Sequence, residues 1–317
     1  MDEKSLNGEV FANAGSNGKG RRETESAYTE LSLPLANNLE MQLAERFDHY
    51  SDFGDTANPK IGFRYQVSPK LMFRASAGTG FKAPNMTDLY ASSSEGYPTF
   101  IDAVNCKKDP SSGACAPHQY FVKSGGNPGL KQEESESYNL GMIAQPNRST
   151  SFSTDFWLTK MHNVVGIDYD DLMIAERDGV DYQSHGVSII RDSNKDIVEI
   201  DAPLQNLAAR ELLGVDLGYE ESTSTKFGRA RLRVDHSHMF FYKEEGFPGI
   251  GLSDVLGKNG HPAWKNQITF ALAPTENQEG SLIVNTTAQH RKSVDNAGYL
   301  KQYSVMDFRY SVTERSE

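Results

Sequence analysis

Two cysteines, Cys106 and Cys115, make up the whole thiol content of this 317-residue chain. A pair this close in sequence either closes a small disulfide loop or stands as two free thiols. Two are too few for a four-cysteine zinc site, and their spacing does not suit CxxC-type metal chemistry. His236 and His238 form an HxH, and two imidazoles two apart on a strand face can share a metal. No third ligand is evident, so no metal is assigned, and polar rings at an interface are the simpler reading. Residues 163–205 hold ten acids against Arg177, Arg191 and Lys195. Among them, Asp168, Asp170 and Asp171 carry the oxygens that a calcium ion or a cationic ligand takes; a solvated loop is the plainer alternative. Tyr90, Tyr97, Phe100, Tyr120 and Phe121 fall in a second irregular stretch. Aromatics on loops clamp flat or greasy ligands, or simply pack on one another.

Catalytic chemistry finds no footing, and no catalytic residue or cofactor is assigned. Gly78-Thr79-Gly80 lacks the Lys-Ser/Thr of a phosphate loop. Gly249-Ile250-Gly251 lacks a third glycine and a strand–helix setting. No GxSxG occurs. The net charge of −11 argues against a nucleic-acid partner, which needs a basic footprint. At 37% hydrophobic and 24% charged residues the chain is too polar for a helical membrane protein. Its 16 Phe and 14 Tyr make it too aromatic for disorder. No basic, apolar leader stands at Met1, so the expectation is a cytosolic chain or one whose true N-terminus lies upstream.

The elements that must position these residues alternate with period 2, the signal of a strand. Leu31, Leu33 and Leu35 share a face. So do Ile61, Phe63, Tyr65 and Val67, with Arg64 behind them, and then Phe73, Ala75 and Ala77, with Arg74 behind. Tyr138, Leu140 and Met142 follow, then Phe152 and Phe156, and then Ala230, Leu232 and Val234 opposite Arg229, Arg231 and Arg233. The pattern continues to Met306, Phe308 and Tyr310 and predicts about 11 strands of roughly 8 to 12 residues. The connections sort by length. Short turns are expected at 34–38, 68–70, 145–149, 221–226 and 273–280, and long loops at 48–58, 82–134, 163–205, 243–262 and 291–302. Strict alternation of short and long fits an up-and-down antiparallel transmembrane β-barrel with short periplasmic turns and long extracellular loops. Glu45 resists the pattern, because it shares the parity of Leu43 and Phe47. Near a strand end it falls in the headgroup zone, where a charge costs little.

Several segments resemble the β-barrel of TonB-dependent outer-membrane receptors. Residues 58–65 with Phe73 to Pro84 and Asp88-Leu89-Tyr90 are similar to the family's strand–turn–strand ending in GTGFRAP…ELY, with Lys82 for the usual Arg. Gly126-Asn127-Pro128-Gly129-Leu130-Lys131-Gln132-Glu133, then Ser135 and Tyr138 to Gly141, resembles GNPxLKPExSxxYELG, with Gln132 for Pro. Asp155-Phe156-Trp157 resembles the DYW strand. Asn206-Leu207-Ala208 with Gly214-Val215-Asp216 and Tyr219 resembles N-x-G…GxDxxxxY, with Ala208 for the usual Gly. The four motifs stand in the family's order and cover most of residues 26–312.

The resemblance implies an all-β chain that is a partial barrel, about 11 strands of a family barrel of about 22. Residues 26–317 are expected to be barrel segment, and 1–25 an incomplete extracellular loop or disordered start. The family's signal peptide, TonB box and plug are not in the sequence, and Arg315-Ser316-Glu317 does not resemble its terminal strand. The expectation is therefore an internal fragment that does not transport by itself. In the intact receptor the implied partners are outer-membrane lipid, the plug, the TonB-ExbB-ExbD system and a small ligand: siderophore-iron, cobalamin, oligosaccharide or another scarce compound. The implied place is the Gram-negative outer membrane. There Arg64, Arg74, Arg229, Arg231 and Arg233 face the lumen, Cys106 and Cys115 pair as a disulfide in an oxidising compartment, and the loop aromatics and Asp168, Asp170 and Asp171 meet ligand. A plug-less porin and a soluble carbohydrate-binding β-protein are the alternatives. The soluble one predicts an outward face that is polar.

Overall fold

The structure, a computed structural model, describes residues 18–313 apart from Ser112, Asn259 and residues 292–297. Residues 1–17 of the expected leading segment 1–25 and residues 292–297 of the loop 291–302 lie outside the described residues. The period-2 segments form one antiparallel sheet in chain order. Its strands are β1 (Thr24–Ala36), β2 (Leu39–Tyr50), β3 (Gly54–Ser68), β4 (Leu71–Lys82), β5 (Glu133–Ala144) and β6 (Thr150–Val165). Next come β7 (Asn206–Thr225), β8 (Gly228–Glu245), β9 (Trp264–Thr275), β10 (Gln278–Thr287) and β11 (Tyr303–Val312). A two-residue piece, Ser253–Asp254, adds to the outer end of β8. No described helix is long and apolar enough to cross a membrane; barrels cross with strands.

Register turns the alternation into two faces. On one face a row runs Leu31, Leu43, Ile61, Ala77, Tyr138, Leu158, Leu213, Phe241, each opposite the next. On the far strands Val234, Ile268, Val284 and Met306 form another. These side chains stand out from the sheet; Met306 is 68% exposed and Phe308 75%. A contiguous apolar surface of this extent marks an interface, since water would penalise it. The soluble alternative required a polar outward face, and this one is apolar. The other face carries the polar row Glu40, Arg64, Arg74, Gly141, Asp155, Asp216, Ser237, Lys265.

Two expectations about connections need correction. The stretch 48–58 is not a long loop: β2 and β3 pair up to Tyr50 opposite Gly54, which leaves a three-residue turn. Tyr50 stacks on Phe53 at 4.5 Å, and Ser51 donates its N–H to the Glu23 carbonyl, so the apolar rings stay on the sheet. Six strands keep to 8 to 12 residues, but β1, β3, β6, β7 and β8 are longer, reaching 20 in β7. Their extra length projects past the apolar rows and carries the loop structure. Within loop 163–205 a turn at Asp192 to Asp196 joins Ser188–Arg191 to Ile197–Asp201, with Asp192 accepting the N–H groups of Asn194 and Asp196.

Candidate ligand-recognition site on the long-loop end

The long loops fold into a cap with a core of its own. Helices α1 (Met86–Tyr90), α2 (Ala103–Lys108) and α3 (Tyr169–Asp178) belong to it. So does a four-stranded sheet that mixes strands from loops 82–134 and 163–205. Phe100, Val122, Leu172, Met173, Val187, Ile200 and Phe247 close its core. These residues come from three different loops, so none of the three can form the core alone. That is the physical reason the loops are long: short ones could not supply a hydrophobic centre.

One buried arginine ties the cap together. The Arg191 guanidinium donates to Asp102 at 2.7 and 3.0 Å, to Glu176 at 2.6 and 2.9 Å, and to the Lys195 carbonyl at 2.7 Å. Asp102 is 1% exposed and also caps α2 by accepting from Val104 and Asn105. Burial works against the charge of Arg191, but the hydrogen bonds to Glu176 and Asp102 outweigh it and hold its pKa above the ordinary arginine value. Cys106 and Cys115 are bridged, with Cα atoms 4.7 Å apart, which closes the segment after α2.

A collar of motif residues joins cap to wall. Lys82 and Glu133, from the first and second family-like motifs, lie opposite each other and pair at 3.0 Å. The same Glu133 oxygen accepts the Val165 N–H at the top of β6. Asn206, from the fourth motif, donates to the carbonyls of Lys131 and Asn163 and accepts the Lys131 N–H. Asn127 reaches the Leu204 carbonyl. Arg22 lies over the rings of Tyr50 and Phe53, pairs with Asp52 at 2.8 Å and donates to the Pro84 carbonyl at 2.7 Å. The start of α3 is pinned too: Gly246 donates its N–H to Asp171 at 2.7 Å, and Asp168 donates its N–H to the Gly246 carbonyl. A Cβ at Gly246 would lie 2.4 Å from the Asp168 Cβ, so only glycine allows this approach.

The candidate residues separate into three groups. Phe100 is 1% exposed and stacks on Tyr120 and Tyr169, so it belongs to the cap core, the self-packing alternative. Tyr90 packs below the cap against the Gly18–Gly20 segment. Tyr97, 52% exposed, and Phe121 form a ring pair 5.6 Å apart on an open face, with the Lys123 ammonium over Phe121. Hydrogen bonding to Glu199 raises the Lys123 pKa. Asp168, Asp170 and Asp171 come together with Glu244, Glu245 and Arg210 around a cavity of about 270 Å³ between cap and wall. Burial first, and then the charges of Asp168, Asp170 and Glu244, push Asp171 up to about 6, against the Gly246 hydrogen bond. Asp168 and Asp170 also serve the fold: Asp168 caps α3 and Asp170 accepts the Ile101 N–H. His236 and His238 stay on the apolar face beside Trp264, and no metal-holding group of three or more ligands occurs among the described residues.

The five arginines singled out from the sequence all lie on the polar face of the wall. Arg64 pairs with Glu40 at 3.3 Å, Arg231 with Glu279 at 3.5 Å and Arg233 with Asp235 at 2.8 Å. Arg229 shares their parity on β8. Arg74 reaches across β5 to Asp155 at 2.9 and 2.5 Å. The two side chains meet over Gly141, where a Cβ would lie 2.2 Å from the Asp155 oxygen. Thus the Gly of the second motif and the Asp of the third serve one contact.

A one-sided antiparallel wall, with short turns at one end and a welded cap at the other, defines a segment of a β-barrel receptor. The chain belongs to the TonB dependent receptor-like β-barrel family, whose model matches residues 3–308. Among solved structures it is similar to the siderophore receptor PirA from Acinetobacter baumannii, at 14% identity and a TM-score of 0.61, over 93% of this chain and 40% of that one. It is also similar to the ferric enterobactin receptor PfeA from Pseudomonas aeruginosa, at 13% identity and a TM-score of 0.62, over 90% and 37%. PirA from Pseudomonas aeruginosa matches at 13% identity and a TM-score of 0.56, over 92% and 42%. At such identities the likeness is one of fold. The chain spans about 40% of the length of the receptors it resembles. Comparison with curated protein sequences gave no significant match.

Proposed function

We propose that this chain supplies wall and ligand-capturing cap to a TonB-dependent outer-membrane receptor for a siderophore-type or similarly scarce compound. The observation that carries the reading is the weld: motif residues Lys82, Glu133 and Asn206 hold a three-loop cap rigidly on the end of the wall. A preorganised surface loses little entropy on binding. Tyr97, Phe121 and the Asp168–Asp171 cavity are the faces the cap offers to ligand. In the whole receptor the polar face, with Arg74 and Arg229 to Arg233, meets the plug, and uptake draws on TonB-ExbB-ExbD and the inner-membrane proton gradient.

Charge narrows the ligand. Loop 163–205 carries ten acids against three bases, and two of those bases are already engaged, Arg177 by Asp178 and Arg191 by Asp102 and Glu176. Lys123 is engaged by Glu199. The field left over the cap is negative and steers cationic or neutral compounds better than anionic ones. The test is binding by the purified chain in detergent, read from quenching of its aromatic fluorescence. The ligands are a neutral ferric trihydroxamate, cyanocobalamin and a trianionic ferric tris-catecholate. Saturable binding of a neutral complex, weakened by Tyr97→Ala, is the expected result. Preferential binding of the tris-catecholate would overturn the charge argument, and no binding by any compound would remove the recognition role.

A further inference from the structure

The strap that follows β8 closes one side of the Asp168–Asp171 cavity, since Ser253 and Val255 line it together with Asp168, Asp171, Arg210 and Glu244. It is held almost wholly by its backbone. Ser253 and Asp254 add to the outer end of β8, and Val255 donates its N–H to the Tyr242 carbonyl at 2.8 Å. The Asp254 carboxylate accepts the Leu256 N–H at 3.0 Å, and the Lys258 ammonium donates to the Asp254 carbonyl at 2.8 Å. Gly257 donates to the His261 carbonyl at 2.7 Å and accepts the Arg291 N–H at 2.8 Å. None of the described residues 251–258 is buried. A segment with exposed backbone bonds and no buried side chain sits at the low end of local stability.

What fixes the strap is the ring that follows it. His261 meets Tyr242 in a T-shaped contact, with centroids 4.4 Å apart. Tyr242 is itself buried, and its hydroxyl donates to Glu244 at 2.7 Å. His290, 6% exposed, donates from Nδ1 to the Ala288 carbonyl at 3.0 Å. The larger cap core is closed by Phe100, Leu172, Met173 and Phe247; this latch is built from imidazole and phenol instead. Burial lowers the His261 pKa from its ordinary value. Glu244 opposes that shift, while Arg210 and His290 add to it. The other charges on these elements are held. Asp254 and Lys258 bind within the strap, and Arg291 donates to the Tyr299 hydroxyl at 3.1 Å. Across the cavity stand Asp168, Asp170 and Asp171. A base whose folded pKa lies below its ordinary 6.5 leaves the fold at full stability above that value. Stability is lost as the pH falls through the folded pKa.

We propose that the strap Ser253 to Lys258 is a lid on the cavity, latched while the His261 ring is neutral and released when that ring takes up a proton beside His290 and Arg210. Release uncovers the side of the cavity that Ser253 and Val255 close. The consequence for a ligand rests on the cavity being a ligand face, as proposed above; the opening does not. The chain in detergent is compared by hydrogen exchange and mass spectrometry at about pH 7.5 and about pH 5.5, each rate divided by its intrinsic value. The expected result is about fivefold weaker protection of residues 253–258 at the lower pH, with the wall strands β3 to β6 unchanged. His261→Phe keeps a ring against Tyr242 and cannot charge, so its strap should be equally protected at both pH values. His261→Gln replaces it should the phenylalanine variant not fold, with the same expectation. Equal protection of the wild-type strap at the two pH values would overturn the lid. So would a matching loss in the wall strands, which is general acid unfolding. A pH dependence that persists without His261 but disappears in His290→Gln would overturn the assignment of the latch to His261.

Discussion

Arg191→Met tests whether the loops form one cap or three independent segments. Among the described residues the guanidinium alone pairs with the side chains of both Asp102 and Glu176, which are 1% and 15% exposed. Methionine keeps the apolar stem and removes all five donated hydrogen bonds, leaving two carboxylates facing each other out of water. Breaking a buried pair this way costs about 3–5 kcal/mol, because the surviving charges keep their desolvation penalty. Every 1.4 kcal/mol is tenfold in an opening equilibrium, so amide protection in α2, α3 and Ser188–Arg191 should fall by roughly 10²–10³. The assay is hydrogen exchange by mass spectrometry on the chain in detergent, peptide by peptide. The wall strands β3 to β6 should exchange as before, since their ladders do not depend on the cap core. Adding Asp102→Asn and Glu176→Gln to the variant should restore more than half the loss, because a neutral triad carries no stranded charge and asparagine still caps α2. A change below about threefold in α2 and α3, or an equal loss in the wall, would refute the reasoning.

Gly141→Ala should destabilise the wall by about 1–3 kcal/mol, the usual cost of forcing a methyl into a filled site. The new Cβ meets the Asp155 oxygen at 2.2 Å and the Arg74 Nε at 2.8 Å; a lowered urea midpoint of the strand signal checks it, and an unchanged midpoint speaks against the contact. Asp171 gives the cap a pH dependence. Its pKa is raised from 3.8 to about 6, so its contribution to stability is full below about pH 4 and lost as the pH rises through 6. After allowance for its half-exposed position the swing is about 1–2 kcal/mol. Exchange in α3 should quicken between pH 4 and 6.5 beyond its intrinsic rise, and Asp171→Asn should flatten that trend. Removing the bridge with Cys106→Ser/Cys115→Ser should cost roughly 2–3 kcal/mol for so short a loop. The added exchange should appear in residues 103–118 and not in the wall.

The wall was legible because its signal is local. Ile61, Phe63 and Tyr65 announce a face by skipping Gly62 and Arg64, and the register then stacks them on Leu43 and Met41 without further instruction. The Asp192 turn is local in the same way, since its acceptor and donors lie within four residues. What escaped depends on distance. Arg191 looked like one base in an acidic loop because its partner Asp102 lies 89 positions away. Phe100 read as a loop aromatic because nothing near it in sequence shows the helix α3 that covers it. The hairpin at Tyr50 read as a loop because His49, Asp52 and Asp55 are polar, although there they rim a tight turn. Glu133 carried its motif position but not its role, which appears only when β4 and β5 lie side by side.

The sheet path β1 to β11 has an arithmetic consequence. Eleven antiparallel strands are an odd number, so the two outermost described strands, β1 and β11, run in the same direction. Two copies standing upright in one membrane could meet β11 to β1 only as parallel neighbours, a pairing the wall uses nowhere. A second copy that paired β1 with β1 in the antiparallel sense would hang upside down, its cap on the opposite side of the bilayer. Any ring closed throughout by antiparallel ladders must therefore complete this sheet with an odd number of further strands. Parity thus excludes a ring of two upright copies joined by antiparallel seams.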